Sequence, residues 1–293
     1  MKNEIITEFR NKANLKIKEL NATISDYRVK SQMINRFIEG LREEKIDKLI
    51  KDKELFSEEL LSNVLTIYYS SYVVMLESRN RVWPYEYMAF ARRIGELWEP
   101  FCKLPFYFPI RKDVMMYDPL SFAMFQEDIK KEVKDYINSL SLTSEEKSNL
   151  LGKYSFVWSI VDSGNINLSL DLHIKINDEY YDIDYKSGFS SNEKGNTNRL
   201  LLVGSIFHSI NEKHHTLLFV RQKEEENNHY LTRLSNSKYW EVYCSDDAYK
   251  KIEELSGFNL KKWISENIDW ENDITPEFKE HLKNNQLLGY LTW

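Results

Sequence analysis

The stretch from Asn167 to Lys186, NLSLDLHIKINDEYYDIDYK, decides how this chain is read. Its apolar residues alternate with polar ones. Leu168, Leu170, Leu172, Ile174 and Ile176 point one way, and Ser169, Asp171, His173 and Lys175 the other. From Tyr180 the pattern resumes, with Tyr181, Ile183 and Tyr185 on one face and Asp182, Asp184 and Lys186 on the opposite one. A turn at Asn177-Asp178 makes the two runs a hairpin in which Ile176 pairs with Glu179. Asp171 then stands across from Asp184, Ser169 from Lys186 and His173 from Asp182. Both apolar rows fall on one face, which independently supports this register.

Directly opposed residues have their Cβ atoms about 4.5–5.5 Å apart, where two like charges destabilise the sheet. Asp171 and Asp184 in that position therefore call for a cation between them. Mg²⁺ is a hard cation that takes one or two carboxylates together with water and phosphate oxygens. Lys186, two residues beyond Asp184 on the same face, is close enough to contact a bound phosphate or water.

The residues before the hairpin read as helix, with apolar positions three and four apart through roughly 4–50, 57–76 and 85–103. Ser57 is placed to cap the second of these. Pro100, Pro105, Pro109 and Pro119 fall within a short space, and residues 100–119 read as a connector between helical layers. Helix resumes at about 120–140, and Thr143-Ser144-Glu145-Glu146 is a capping box that opens another short helix. The spacing predicts strand from Tyr154 to Lys186, helix over about 197–210 and strand over about 215–222. Further strands are predicted near 229–234 and 238–244, then a helix from Ser245 to Leu255. The last helix, 276–285, has Thr275 as its cap and Pro276 at its first position. This order predicts an α+β or α/β fold with a small mixed central β-sheet flanked by helices and a large helical N-terminal part.

Asp171, followed by Asp184-Tyr185-Lys186, resembles the motif of the PD-(D/E)xK nuclease superfamily, closest in style to type II restriction endonucleases. The resemblance covers roughly residues 85–245; Leu170 stands where the family usually has a proline. It implies a nuclease core over 85–255, a helical region over 1–84 for dimerisation or DNA recognition, and a C-terminal helical extension over 256–293. It also implies Mg²⁺-dependent hydrolysis of double-stranded DNA, with Asp171 and Asp184 holding the metal and Lys186 orienting the attacking water. Gly95-Glu96-Leu97-Trp98-Glu99 is similar to the family's Gly-x-x-aromatic-Glu element, which carries a helix-borne acid to the metal. Glu99 fits that part and Glu96 is the alternative one turn earlier, although Pro100 predicts that the helix ends there. Cutting both strands of a duplex implies a C2 homodimer, and restriction implies pairing with a DNA methyltransferase. Two other functions stay open: a structure-specific nuclease such as a junction resolvase, and a non-catalytic DNA-binding module with a vestigial hairpin.

Charge distribution bears on how DNA would be held. The 293 residues carry 40 Lys+Arg and 46 Asp+Glu, a formal net charge of −6, so bulk charge does not recruit nucleic acid. Residues 186–223, however, hold six basic residues against two acids, and residues 264–281 hold six acids against one lysine. Lys194, Asn196, Asn198 and Arg199 enter the helix after the hairpin, and Asn and Arg make the paired contacts that read adenine and guanine. The helix start near Asn196-Thr197 favours phosphate through its dipole and free amides.

Other chemistries are excluded or weak. The nine glycines fit neither a G-x-G-x-x-G nor a Walker A loop, and two cysteines, Cys102 and Cys244, do not make a zinc site or a disulfide framework. Asp182-Ile183-Asp184 matches the D-x-D of nucleotide-sugar transferases, which would need a nucleotide-binding first half. His208, His214 and His215 read as structural residues at a turn, and Trp263, Trp270 and Trp293 as packing. No apolar run reaches the roughly 20 residues of a membrane helix. Met1-Lys2-Asn3-Glu4 opens without the apolar run of a signal peptide, so a cytoplasmic location is expected.

Overall fold

Three long helices open the chain: α1 (Lys2–Thr23), α2 (Tyr27–Asp52) and α3 (Glu58–Val82). The structure, a computed structural model, describes residues 1–52, 57–161, 167–189 and 193–293. Helix α3 is buried on nearly every side, from Leu60 to Val82, as its apolar composition requires. Ser57 caps it by accepting a hydrogen bond from the Leu60 amide at 3.0 Å. Glu77 receives both Nε and Nη2 of Arg10 from α1 at 2.9 Å, and the Thr275 amide donates to it at 2.6 Å.

Helix α4 (Tyr87–Tyr107) corrects the connector expected over 100–119, because it runs straight through Pro100 and Pro105. Each proline forfeits one intrahelical hydrogen bond. Burial of Ile94, Leu97, Trp98, Phe101, Leu104 and Phe106 along the same helix outweighs that cost. A three-residue strand missed in the sequence, β1 (Val114–Met116), follows.

By their contacts the residues divide into two compact units: Met1–Met116 with Ile174–Trp293, and Tyr117–His173. The second contains α5 (Phe122–Ser139) and α6 (Ser144–Val161). The capping box is present: the Thr143 amide donates to Glu146 Oε2 at 2.8 Å, and the Glu146 amide to Thr143 Oγ1 at 3.3 Å. From there α6 continues to Val161, so residues 154–161, expected as strand, are helical. Leu151, Tyr154, Ser155 and Trp158 recur at helical spacing along one wall of a cavity shared with α5. Residues 167–170 are also not strand. The Ser169 amide donates to Asn167 Oδ1 and the Leu170 amide to His173 Nε2, both at 2.9 Å. Such local bonds offer the backbone an alternative to the ladder.

Among the described residues the strands form one sheet in the order β1-β2-β3-β4-β5, with β2 (Leu172–Ile176), β3 (Glu179–Lys186), β4 (His214–Val220) and β5 (Glu241–Cys244). Strand β1 is antiparallel to β2, while β3, β4 and β5 are mutually parallel. The turn between β2 and β3 falls at Asn177-Asp178 as expected, and Asn177 takes the left-handed conformation (φ 55°) that Asn tolerates. Helix α7 (Lys194–Ile210) makes the crossover from β3 to β4.

Residues 229–234, expected as strand, form α8 (His229–Ser235), which Asn228 caps through the Tyr230 amide at 2.9 Å. Then come α9 (Asp246–Ser256), α10 (Leu260–Asn267), α11 (Trp270–Asp273) and α12 (Pro276–Asn284), the last capped by Thr275. The rings of Trp263, Trp270 and Trp293 pack with Tyr69, Tyr72 and Phe101. The protein is thus a mixed α and β fold, mostly helical, around a five-stranded mixed sheet. No helix among the described residues is long and apolar enough to cross a membrane.

Candidate active site

Alternation along β3 sets Asp182, Asp184 and Lys186 on one face and Ile183 and Tyr185 on the other. Both faces are covered. Asp182 and Asp184 are 0% and 1% exposed, where a half-exposed hairpin would have left them in water. The helices divide the work: α7 lies over the aspartate face, and α4 and α9 over the tyrosine face. Arg199 on α7 reaches Asp184, while Trp98 on α4 packs edge-on against Tyr185 at 5.8 Å.

Asp184 is neutralised by its neighbours. Lys186 Nζ lies 2.5 Å from Oδ2, and Arg199 Nη2 lies 3.9 Å from Oδ1. The same ammonium donates to the Tyr185 carbonyl at 3.1 Å. Two hard oxygens, one carboxylate and one carbonyl, therefore converge on a single positive charge. That donor pair suits a hard divalent cation, which takes carboxylate and carbonyl ligands together. Among the described residues no group of three or more His, Cys, Asp or Glu is arranged to hold a metal ion.

Asp171 is the residue immediately before β2 and belongs to the second unit, where it is half-buried. Its place across from Asp184 rests on the sequence register. Glu99 is on α4, with its carboxylate 2.7 Å from Lys103 Nζ, and that ammonium sits 5.6 Å from the centre of the Tyr185 ring. Glu96, the alternative, is engaged on the surface with Arg92 and Arg93, each at 3.2 Å. The expectation that Pro100 ends the helix at Glu99 is corrected by the continuity of α4. Gly95 explains how α4 approaches the end of β3: a Cβ there would stand 2.4 Å from Ser187 Oγ.

Helix α7 begins at Lys194, three residues earlier than the sequence suggests, so the amide of Thr197 is spent inside the helix on Glu193 O at 2.8 Å. The Thr197 amide is therefore not among the free amides expected at Asn196-Thr197. Lys194 and Asn198 are exposed; Asn196 donates to Glu193 Oε2 at 3.1 Å. Thr197 is 1% exposed, and its hydroxyl has no hydrogen-bond partner among the described residues. Asn192, two residues before this helix, lies outside the described residues.

Two further features escaped the sequence. His214 Nδ1 bonds Asp182 Oδ2 at 2.8 Å, with the imidazole stacked between Tyr180 and Phe207 at 4.8 and 5.4 Å. Asp182 shares a face with Asp184, which was a signal, but its partner comes from a strand 32 residues away. Arg221 follows β4 directly. Its amide donates to Lys186 O at 2.9 Å and its Nε to Ser187 Oγ at 3.1 Å. The available signal was a basic residue at the carboxyl end of an apolar run. Comparison with known proteins adds no relative: no family model, curated protein or solved structure matches this chain.

Proposed function

We propose that the protein is a Mg²⁺-dependent, sequence-specific endonuclease that hydrolyses double-stranded DNA, with the restriction-endonuclease-like core that the PD-(D/E)xK resemblance implies. The observation that carries this reading is the buried Asp184 with Lys186 at 2.5 Å and the Tyr185 carbonyl on the same ammonium. Support comes also from the connectivity: a β2–β3 hairpin, a crossover through α7 and a parallel β4 give the strand–strand–helix–strand order of that core.

In this reading Asp184 and the Tyr185 carbonyl would hold the metal, with Asp171 as the second carboxylate on the sequence register; Glu99, on α4 over the opposite face, would join them only round the end of β3, where α4 meets Ser187. Bound Mg²⁺ supplies a Lewis acid and lowers the pKa of water. Lys186, released from the carboxylate, orients the attacking water and offsets charge on the scissile phosphate. The water oxygen bonds to phosphorus, and the ester oxygen opposite leaves with a proton. Arg199, with Lys194, Asn196 and Asn198, lies on α7, the helix over that face, and meets the DNA there. A C2 homodimer supplies one such site per strand, and the host DNA would be protected by a methyltransferase.

Incubation with supercoiled plasmid and Mg²⁺ tests this. Discrete fragments that vanish with a chelator, and in Asp184→Asn, are the expected result. Cleavage confined to branched DNA would replace it with a resolvase, and binding without cleavage would leave a DNA-binding module.

A further inference from the structure

Beyond the carboxyl ends of β4 and β5 lies a polar cavity of about 300 Å³. Arg221, Lys223 and Lys261 line it, with Tyr249, Ser245 and Gln222. Ligands of open α/β sheets sit outside the carboxyl ends of the parallel strands. This cavity is there, and it is separate from Asp184. Val220 is the register partner of Lys186, so by alternation Arg221 and Ser187 face the opposite side, towards α4 and α9.

Arg221 is the decisive group. It is fixed by neutral acceptors, with Nε on Ser187 Oγ at 3.1 Å and Nη1 on Thr292 O at 3.3 Å. No carboxylate lies within ion-pairing distance of it among the described residues. Burial pushes the guanidinium pKa down, opposed by the fields of Tyr249 and Glu226. Arg221 is half-buried, with the acid Glu226 in the same lining, and a guanidinium that has no ion-pair partner among the described residues keeps the planar fork that fits phosphate oxygens. Lys261 stands over the Tyr249 ring at 4.8 Å, 3.1 Å from Asp246. Lys223 is exposed at the rim, with Glu226 the acid in the lining. The cavity is thus polar and cationic, with a guanidinium held by Ser187 and Thr292, an ammonium held by Asp246 and the Trp293 carbonyl, and the exposed ammonium of Lys223.

We propose that this cavity is a phosphate-binding subsite centred on Arg221, taking a phosphoryl group from the backbone of a nucleic acid or from a small phosphomonoester. It does not rest on the nuclease reading, because it uses none of Asp171, Asp184 or Lys186.

Thermal unfolding of the intact protein, titrated with inorganic phosphate against sodium chloride at equal ionic strength, tests it. Phosphate should raise the midpoint in a saturable way, since a ligand bound only by the folded state stabilises it. Arg221→Gln should weaken that response about tenfold, the worth of one charge-assisted hydrogen bond. Lys261→Gln and Lys223→Gln, which alter less buried side chains, should weaken it too and cover the case in which Arg221→Gln does not fold. Lys250→Gln, an exposed residue of α9 paired with Asp247, should respond like the wild type. A short DNA duplex, followed by fluorescence anisotropy without metal, then separates the sources. Displacement by phosphate and weakening in the Gln variants identify the nucleic-acid backbone; unchanged duplex binding beside a lost phosphate response identifies the phosphomonoester. A midpoint that follows ionic strength alone, or variants that all respond like the wild type, would overturn the proposal whatever the plasmid assay shows.

Discussion

Lys186 Nζ lies 2.5 Å from Asp184 Oδ2, and the carboxylate it meets is 1% exposed whereas the lysine side chain is 21% exposed. The two partners are therefore unequal. Lys186→Ala takes from a buried carboxylate its ammonium at 2.5 Å and leaves Arg199 at 3.9 Å among its remaining partners. Breaking a buried pair costs about 3–5 kcal/mol, and the remaining guanidinium puts this case at the lower end. Asp184→Asn keeps the shape and leaves two cations that can turn to water, so it should cost less. Both variants should abolish cleavage and keep DNA binding. Chemical denaturation and plasmid digestion check the pair: equal stability losses would refute the asymmetry, and retained cleavage in either would refute the catalytic assignment.

Gly95 and Ser187 fix how close α4 comes to the end of β3. A methyl at residue 95 would meet Ser187 Oγ at 2.4 Å and Ser187 Cβ at 2.7 Å. Gly95→Ala gains about 1 kcal/mol of helix propensity and loses roughly 1–3 kcal/mol to overpacking. The expected net is destabilising. Ser187→Gly removes both clashing atoms, so the double variant should show favourable coupling in a double-mutant cycle. Simple additivity of the two changes would mean that the approach is not limiting.

Glu99 tests whether α4 serves the metal. Its ion pair joins a side chain 35% exposed to the Lys103 side chain, 10% exposed, so Glu99→Gln, which keeps an acceptor for that buried ammonium, should cost about 1–3 kcal/mol of stability. Cleavage should fall far more than that, and Glu96→Gln should cleave normally because its partners are Arg92 and Arg93 on its own helix. Wild-type cleavage in Glu99→Gln would mean that the site is complete without this helix.

The strand reading was legible where alternation and turn chemistry agreed. Asn177-Asp178 separates β2 from β3, and Asp184 and Lys186 share a face, from sequence alone. It failed where local capping competed. Thr143 launches a helix that runs through Tyr154–Val161, and Asn228 launches another through residues 229–234. The prolines of α4 misled for a related reason. Pro100 and Pro105 lose two backbone bonds, but the face holding Trp98 and Phe101 is buried, and tertiary packing overrides the local preference. Arg221 could not be singled out because its environment is built by Ser187 and Thr292, brought together only by the fold.

Cys244 offers a check on the electrostatics near β5. Burial, then Glu224, Asp247 and Glu225, push its thiol up to about 11. An unfolded cysteine ionises near 8.5. The folded thiol therefore holds its proton while the unfolded one loses it, and stability present below about pH 8.5 should fall as pH rises towards 11. Alkylation by iodoacetamide should be slow at pH 8 and accelerate without levelling until beyond pH 10, since the thiolate is the nucleophile. Cys102 is fully buried and should add little to the signal. A plateau in alkylation rate near pH 9 would contradict this environment.

Arg199 lies 3.9 Å from Asp184 Oδ1, on the helix α7 over which the nuclease reading places the DNA. The Asp184 contact is long and the side chain is 34% exposed, so a phosphate over α7 is within its reach. Arg199→Ala should then weaken duplex binding and lower the slope of log affinity against log salt by about one unit. Lys194→Ala, altering an exposed side chain in the first turn of the same helix, should do likewise with no loss of stability. If Arg199 reads a base instead, its removal should relax preference at one position of the target and leave the salt slope nearly unchanged. Duplex titrations over a range of salt, with wild-type and altered targets, separate the two. Unchanged affinity, slope and preference in both variants would place the DNA away from α7 altogether.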